Sequence, residues 1–165
     1  DTALCLGNLA LIHSDLHKYD LAEKEYNEAL KIYGIFTDIN PDAFLPTVAW
    51  IPGNLAVMLA QLHEYNKAEK EYGEAIDIYR KLAEANPDAF LPNVSLNLDN
   101  LASLHYNLQN YKVAEQEYNK ALSIYRKLAT RYPDAFIPDV AFNVGNLAIL
   151  HNDLHKYDIS EKECI

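Results

Sequence analysis

Glycine is scarce in this chain, with five in 165 residues and no two adjacent. Collagen-like, linker-like and disordered classes are excluded on that ground, since half the residues are hydrophobic and a core can form. Isolated glycines also leave no loop able to cradle phosphate, and G-x-S-x-G, H-E-x-x-H, P-loop and dinucleotide-binding patterns are all absent from the sequence. No catalysis and no cofactor is expected. Only two cysteines occur, Cys5 and Cys164. They make neither a C-x-x-C nor a disulfide framework, and two free thiols suit a reducing compartment such as the cytoplasm. Cations are few: 14 Lys and Arg against 24 Asp and Glu, a net charge of −10. Such a surface repels phosphate backbones, so nucleic acid is not the expected partner. The chain starts at Asp1 without an initiator Met and is expected to be a piece of something longer.

One run, AFLPTVAWIPGNLAVMLA from Ala43, is uncharged and long enough to span a bilayer. It contains Pro46, Pro52 and Asn54, and its counterparts elsewhere carry Asp99, Asp139 and Asp153, so a soluble helix and no membrane partner are expected.

What the chain does have is a repeat. GNLALIH at 7 returns as GNLAVML at 53, DNLASLH at 99 and GNLAILH at 145, a period of 46. Tyr19, Tyr65, Tyr111 and Tyr157 keep the same spacing, as do the PDAF segments that open at Pro41, Pro87 and Pro133. One domain over 1–165 is expected, with repeats at about 1–46, 47–92, 93–138 and a truncated 139–165.

Each period reads as two helices. The first, helix A, is expected at about 2–16, 48–62, 94–108 and 140–154, capped by Asp1, Thr47, Asn93 and Asp139. Helix B is expected at about 20–37, 66–85 and 112–131, ending where the PDAF proline stops it; a fourth begins near 158. Nothing alternates with period 2, so no sheet is expected. Ala10, Ala22 and Ala29 leave room for helix axes to approach, and Tyr19, Tyr26, Tyr33 and their copies pack with hydroxyls at the rim. One hairpin cannot bury both its helices, whereas stacked copies can. Pro52, one turn into the second helix A, predicts a kink or delayed start there that shifts Trp50.

The spacing Leu9-Ala10, Leu16, Tyr19, Ala22, Tyr26, Ala29 resembles the tetratricopeptide repeat. The resemblance covers the chain, though the common period is 34. The longer period, the Pro-Asp opening and the Asn-Leu-Ala motif resemble the kinesin light chain type. The resemblance implies an all-α, right-handed superhelical solenoid of antiparallel helix pairs whose concave face is lined by one stripe of helix A. That stripe holds an apolar row (Leu4, Trp50, Leu96, Phe142), an amide row (Asn8, Asn54, Asn100, Asn146) and a polar or acidic row (Asp15, Gln61, Asn107, Asp153), with Asp99 beside it. The implied function is a non-catalytic module that binds an extended peptide. All Lys and Arg fall outside the four helix A segments, so a clamp on a terminal carboxylate is excluded and a neutral or basic segment is favoured. The amides suit pairing with peptide groups, and the apolar row suits side-chain pockets. The same asparagines could equally bond the neighbouring repeat and fix its stacking angle, and Trp50 and Phe142 could pack beneath the PDAF segments. The alternative function is an architectural spacer, with end-to-end self-association of the chain.

Two further patterns invite chemistry. His13 and His17, repeated as His151 and His155, have zinc-binding spacing, but no third ligand accompanies them and Leu59 and Gln109 stand at equivalent positions, so no metal is expected. The Glu pairs 23/25, 69/71, 115/117 and 161/163 point apart on a helix and are expected to form a solvated face.

Overall fold

The computed structural model describes residues 2–154, and all regular elements among them are helices. In chain order they are α1 (Thr2–Asp15), α2 (Tyr19–Ile39), α3 (Pro41–Val48), α4 (Trp50–Gln61), α5 (Tyr65–Ala85), α6 (Pro87–Asn107), α7 (Tyr111–Arg131) and α8 (Pro133–Asp153). They form antiparallel helix pairs of the kind expected, arranged in two compact units, one ending at Leu82 and one starting at Ala83. The expected fourth helix B, with Tyr157, Glu161, Glu163 and Cys164, lies outside the described residues, as does His155.

The first unit packs α1 on α2, with α3 and α4 against them. Ala10, Ala22 and Ala29 are fully buried, and Tyr26 and Tyr33 fill the space around them. The second unit repeats this with α6, α7 and α8. Its core cluster holds Ala102, Ala114, Tyr118, Leu122, Leu147 and Leu150. Tyr26 sits deeper than expected, whereas the Tyr19 and Tyr65 hydroxyls stay at the rim. The Tyr26 hydroxyl is buried and bonds nothing, and burial, with Asp15 adding repulsion, pushes its pKa up to about 12.

Helix A starts earlier than the sequence suggested. PDAF is no linker but the first turn of the helix. Pro87 and Pro133 are first residues of helices that run 21 residues each. A proline there gives up an N–H that has no helical acceptor anyway. The caps are therefore not Thr47, Asn93 and Asp139. Asn40 and Asn86 do that work, their side-chain oxygens accepting from Ala43 and Ala89 N–H at 3.3 Å. Tyr132 occupies the third cap position without a side-chain bond to the helix. Pro92 and Pro138 lie inside α6 and α8, which continue through them. In the second repeat, Pro46 is joined by Pro52, and there the helix is interrupted at Ala49, the residue after the carbonyl (Val48) that Pro52 cannot bond. The apolar run Ala43–Gln61 crosses this break, and it buries Ile51, Leu55, Ala56, Met58 and Leu59.

The A-to-B turns are alike. Lys18 N–H bonds His13 C=O at 2.8 Å and His17 N–H bonds Ser14 C=O at 2.9 Å, with the same pattern at 63–64 and 109–110. This closure needs a left-handed residue, normally glycine. Here His17, His63 and Gln109 take it, at φ of 57°, 61° and 61°. The two histidines recover something from a Tyr hydroxyl, His17 to Tyr19 and His63 to Tyr65, each at 2.6 Å. Gln109→Gly is expected to stabilise the chain by about 0.5–1 kcal/mol, because left-handed strain outweighs the added freedom of the unfolded chain. A rise in the urea midpoint at unchanged slope checks it.

Among the described residues the Glu pairs do not form a uniformly solvated face, although Glu69 is exposed. Glu25 accepts from His13 Nδ1 and Glu117 from His105 Nδ1, both at 2.7 Å, and Glu115 meets His151 Nε2 at 2.9 Å. Of the histidines that had zinc spacing, His13 and His151 are thus held by carboxylates and His17 by the Tyr19 hydroxyl, and no group of three metal-ligating side chains exists among the described residues. In the second repeat Leu59 replaces the histidine, and Glu71 is left with a buried Oε2 that has no partner. Equivalent substitutions should therefore have opposite signs. Glu71→Leu is expected to raise stability by about 1 kcal/mol by removing an unsatisfied acceptor, and Glu117→Leu to lower it by about 1–3 kcal/mol by stripping His105 of this bond. Denaturant melts of the two variants provide the comparison.

Candidate functional site

The inner stripe assigned to helix A runs along α1 and α4 in the first unit and along α6 and α8 in the second. Each unit is taken by itself. The amide row is accessible: Asn8 is exposed, and Asn54, Asn100 and Asn146 are half-buried. No side-chain hydrogen bond joins any of these four to another described residue. Their immediate neighbours in the repeat behave differently. Asn97 donates to Asn93 C=O at 2.8 Å, and Asn143, fully buried, donates to Asp99. Asn143 thus ties one helix to another, at a different offset from the amide row.

The apolar row is uneven. Leu4 and Trp50 are half-buried. The Trp50 indole N–H donates to Thr47 C=O at 2.9 Å, and its ring lies against Gly7, where an added Cβ would stand 2.9 Å from the ring edge. Gly7 is therefore required for a close approach, and Trp50 packs on α1 instead of beneath PDAF. Leu96 and Phe142 are open to solvent, 52% and 66% exposed. Asp15, Gln61, Asn107 and Asp153 are exposed, and the Tyr106 hydroxyl donates to Asp153.

In the second unit the stripes of α6 and α8 enclose a cavity of about 240 Å³, lined by Ser103, Tyr106, Asn107, Tyr118, Asn146 and Ile149. Two of these, Asn107 and Asn146, are stripe residues, from two successive repeats. The Ser103 and Tyr118 hydroxyls bond each other at 2.8 Å on its wall. The cavity is of a size to admit one side chain, with amide and hydroxyl groups on one side and Ile149 on the other.

Asp99 is not part of this accessible set. It is 6% exposed, and it accepts hydrogen bonds from the Tyr125 hydroxyl and the Asn143 amide. It therefore ties α6 to α7 and α8. Burial pushes its carboxyl up to about 7, with Asp139 adding repulsion, and the two hydrogen bonds only partly offset this. The Asn143 Oδ1 beside it is buried without a partner. Because the folded pKa lies above the unfolded value of 3.8, the stability contributed by this group is complete below about pH 4 and is lost as pH rises through about 7. Asp99→Asn removes the charge and offers an N–H to Asn143 Oδ1. The variant is expected to gain on the parent chain by about 2–4 kcal/mol between pH 5 and pH 8, read as a widening gap between their melting temperatures.

Helix A, including its PDAF turn, contains no Lys or Arg in α1, α3, α4, α6 or α8. The inner stripes therefore face solvent with amide, apolar and acidic groups only.

Comparison with known proteins places this geometry. A family model described as Tetratricopeptide repeat matches residues 47–127, and a second model of the same description matches 2–34. They identify the repeat, not specifically the long kinesin light chain type. No curated protein matches. Among solved structures, that of BtubC (BKLC) from P. vanneervenii is similar with a TM-score of 0.77 at 23% identity, covering 96% of this chain and 58% of that one. The apo form of RapI is similar with a TM-score of 0.79 at 15% identity, covering 98% and 40%. The chain thus spans little more than half of the first and less than half of the second, and at these identities the likeness is one of fold.

Proposed function

Because the chain belongs to the tetratricopeptide repeat family, whose repeats generally serve as non-catalytic protein-binding modules, we propose that it binds an extended, neutral or basic peptide segment along the inner stripes of its A helices. The observation that carries this reading is the amide row. Asn8, Asn54, Asn100 and Asn146 recur at one offset, reach solvent and bond no other described residue. Asparagine is a poor helix former, so four unpaired copies cost stability unless a guest pairs with them. Each amide offers donors and an acceptor to a peptide group whatever its side chain. Leu96, Phe142 and the cavity between α6 and α8 then supply side-chain selection, and the absence of cations along the stripe disfavours an acidic guest. The 46-residue period and the Pro-Asp opening support kinship with the kinesin light chain type of repeat.

The alternative of end-to-end stacking also has an observation in its favour. Cys5, Leu9 and Ile12 are exposed on α1, whereas their counterparts Ile51, Leu55 and Met58 on α4 are buried.

Selection from a random peptide display library separates the two. The expected yield is neutral or basic peptides whose affinity drops at least tenfold in Asn100→Ala and in Asn146→Ala, with melting temperature unchanged. Recovery of acidic peptides, or binding indifferent to both substitutions, would overturn the reading. An apparent mass that rises with concentration, with no peptide recovered, would replace it by stacking.

A further inference from the structure

The first unit has a second cavity, of about 430 Å³, on the side of the helix pairs formed by α2 and α5 and closed below by α3. Its floor is apolar, with Leu30, Tyr33, Leu45, Val48 and Ile78. Its walls carry Gly34, Glu74, Asp77 and Lys81. The wall is open at Gly34, where an added Cβ would meet nothing within 4 Å.

The repeat supplies an internal control. Moving every position on by 46 keeps the floor in kind: Ile76, Tyr79, Leu91, Val94 and Ile124. The walls change at all but one of these positions. Gly34 becomes Arg80, Glu74 becomes Lys120, Asp77 becomes Ser123 and only Lys81 keeps its type, as Lys127. The floor is what the fold demands, because it packs helix on helix whatever the copy. The walls are free to differ, and in this cavity they have two cations fewer and two carboxylates more. Those carboxylates are incompletely matched. Arg80 approaches Asp77 at 3.6 Å with both groups largely exposed, and burial pushes the Glu74 carboxyl up, with Glu71 adding repulsion that Lys70 offsets.

We propose that this cavity receives an Arg or Lys side chain of a partner protein, its aliphatic stem lying on Leu30, Leu45 and Ile78 and its charged head reaching Glu74 and Asp77. Long cationic side chains combine those two requirements, an apolar stem and a head that wants carboxylate. The cavity lies beside Gly34, at the offset where the later repeats carry Arg80 and Arg126. It lies apart from the amide row, so one module would engage a partner on both sides of its helix pairs.

The test uses two probes, acetyl-Leu-Arg-amide and acetyl-Leu-Glu-amide, titrated into the ¹⁵N-labelled chain. The Arg probe is expected to shift the amides of Gly34, Thr37 and Ile78 while the Glu probe does not. Gly34→Arg and Glu74→Lys, residues the chain already carries at 80 and 120, are each expected to weaken the Arg probe at least tenfold with melting temperature within a few degrees of the parent. Equal shifts from both probes, no shift at these amides, or shifts that survive both substitutions would overturn the proposal. Shifts confined to Ser103 and Asn146 would leave the amide-row reading standing and remove this one.

Discussion

Everything in this chain depends on how closely one helix of a pair can approach the other. Ala10, Ala22 and Ala29, and the copies Ala56, Ala68, Ala75, Ala102, Ala114 and Ala121, are all fully buried. Helix spacing follows the size of the side chains at the contact, so nine alanines at fixed offsets hold each pair at one short distance. Tyrosines such as Tyr26, Tyr72 and Tyr118 then fill what the alanines leave open. With one stripe of helix A committed to that contact and a second to stacking, a third remains for solvent, and it is there that the amide row lies.

Within this apolar frame the polar contacts are placed to distinguish one arrangement from another. His13 with Glu25 and His105 with Glu117 join A to B, and His151 with Glu115 joins B to the following A. Buried pairs of this kind add little net stability, since desolvation offsets their attraction. Their effect is on register, because a helix slipped by one turn strands a carboxylate. Glu71 shows what that costs: the histidine is gone, Lys70 reaches only Oε1, and a buried Oε2 is left over. Asp99 plays a related part through Tyr125 and Asn143, without any cation to balance it.

The period, the helix pairing and the alanine–tyrosine zipper were legible because they repeat, and repetition converts weak preferences into a pattern. Boundaries were less so. PDAF reads as a break because proline ends the helix before it, yet the same proline begins the next helix, and only the asparagine before it marks the cap. The turns hid their left-handed residue because histidine and glutamine stand where glycine would announce it. The inward Glu25 and Glu117 were missed by reading charge as exposure; the constant offset of 12 from a histidine was the available signal. Of the stripe residues, Asn8 is exposed and Asn54, Asn100 and Asn146 are half-buried, whereas Asp99 turns inward, since a carboxylate one residue before the row can reach Asn143 of the next repeat.

Trp50 is the only tryptophan, and its indole rests on Gly7 with its N–H tied to Thr47. Intrinsic indole emission therefore reports on the first unit and is blind to the second. Helical circular dichroism weighs both. Superposition of the two signals during unfolding would mean that the units melt as one cooperative body, and separation would count them as two, so this single aromatic contact gives the repeat array a built-in measure of its own cooperativity.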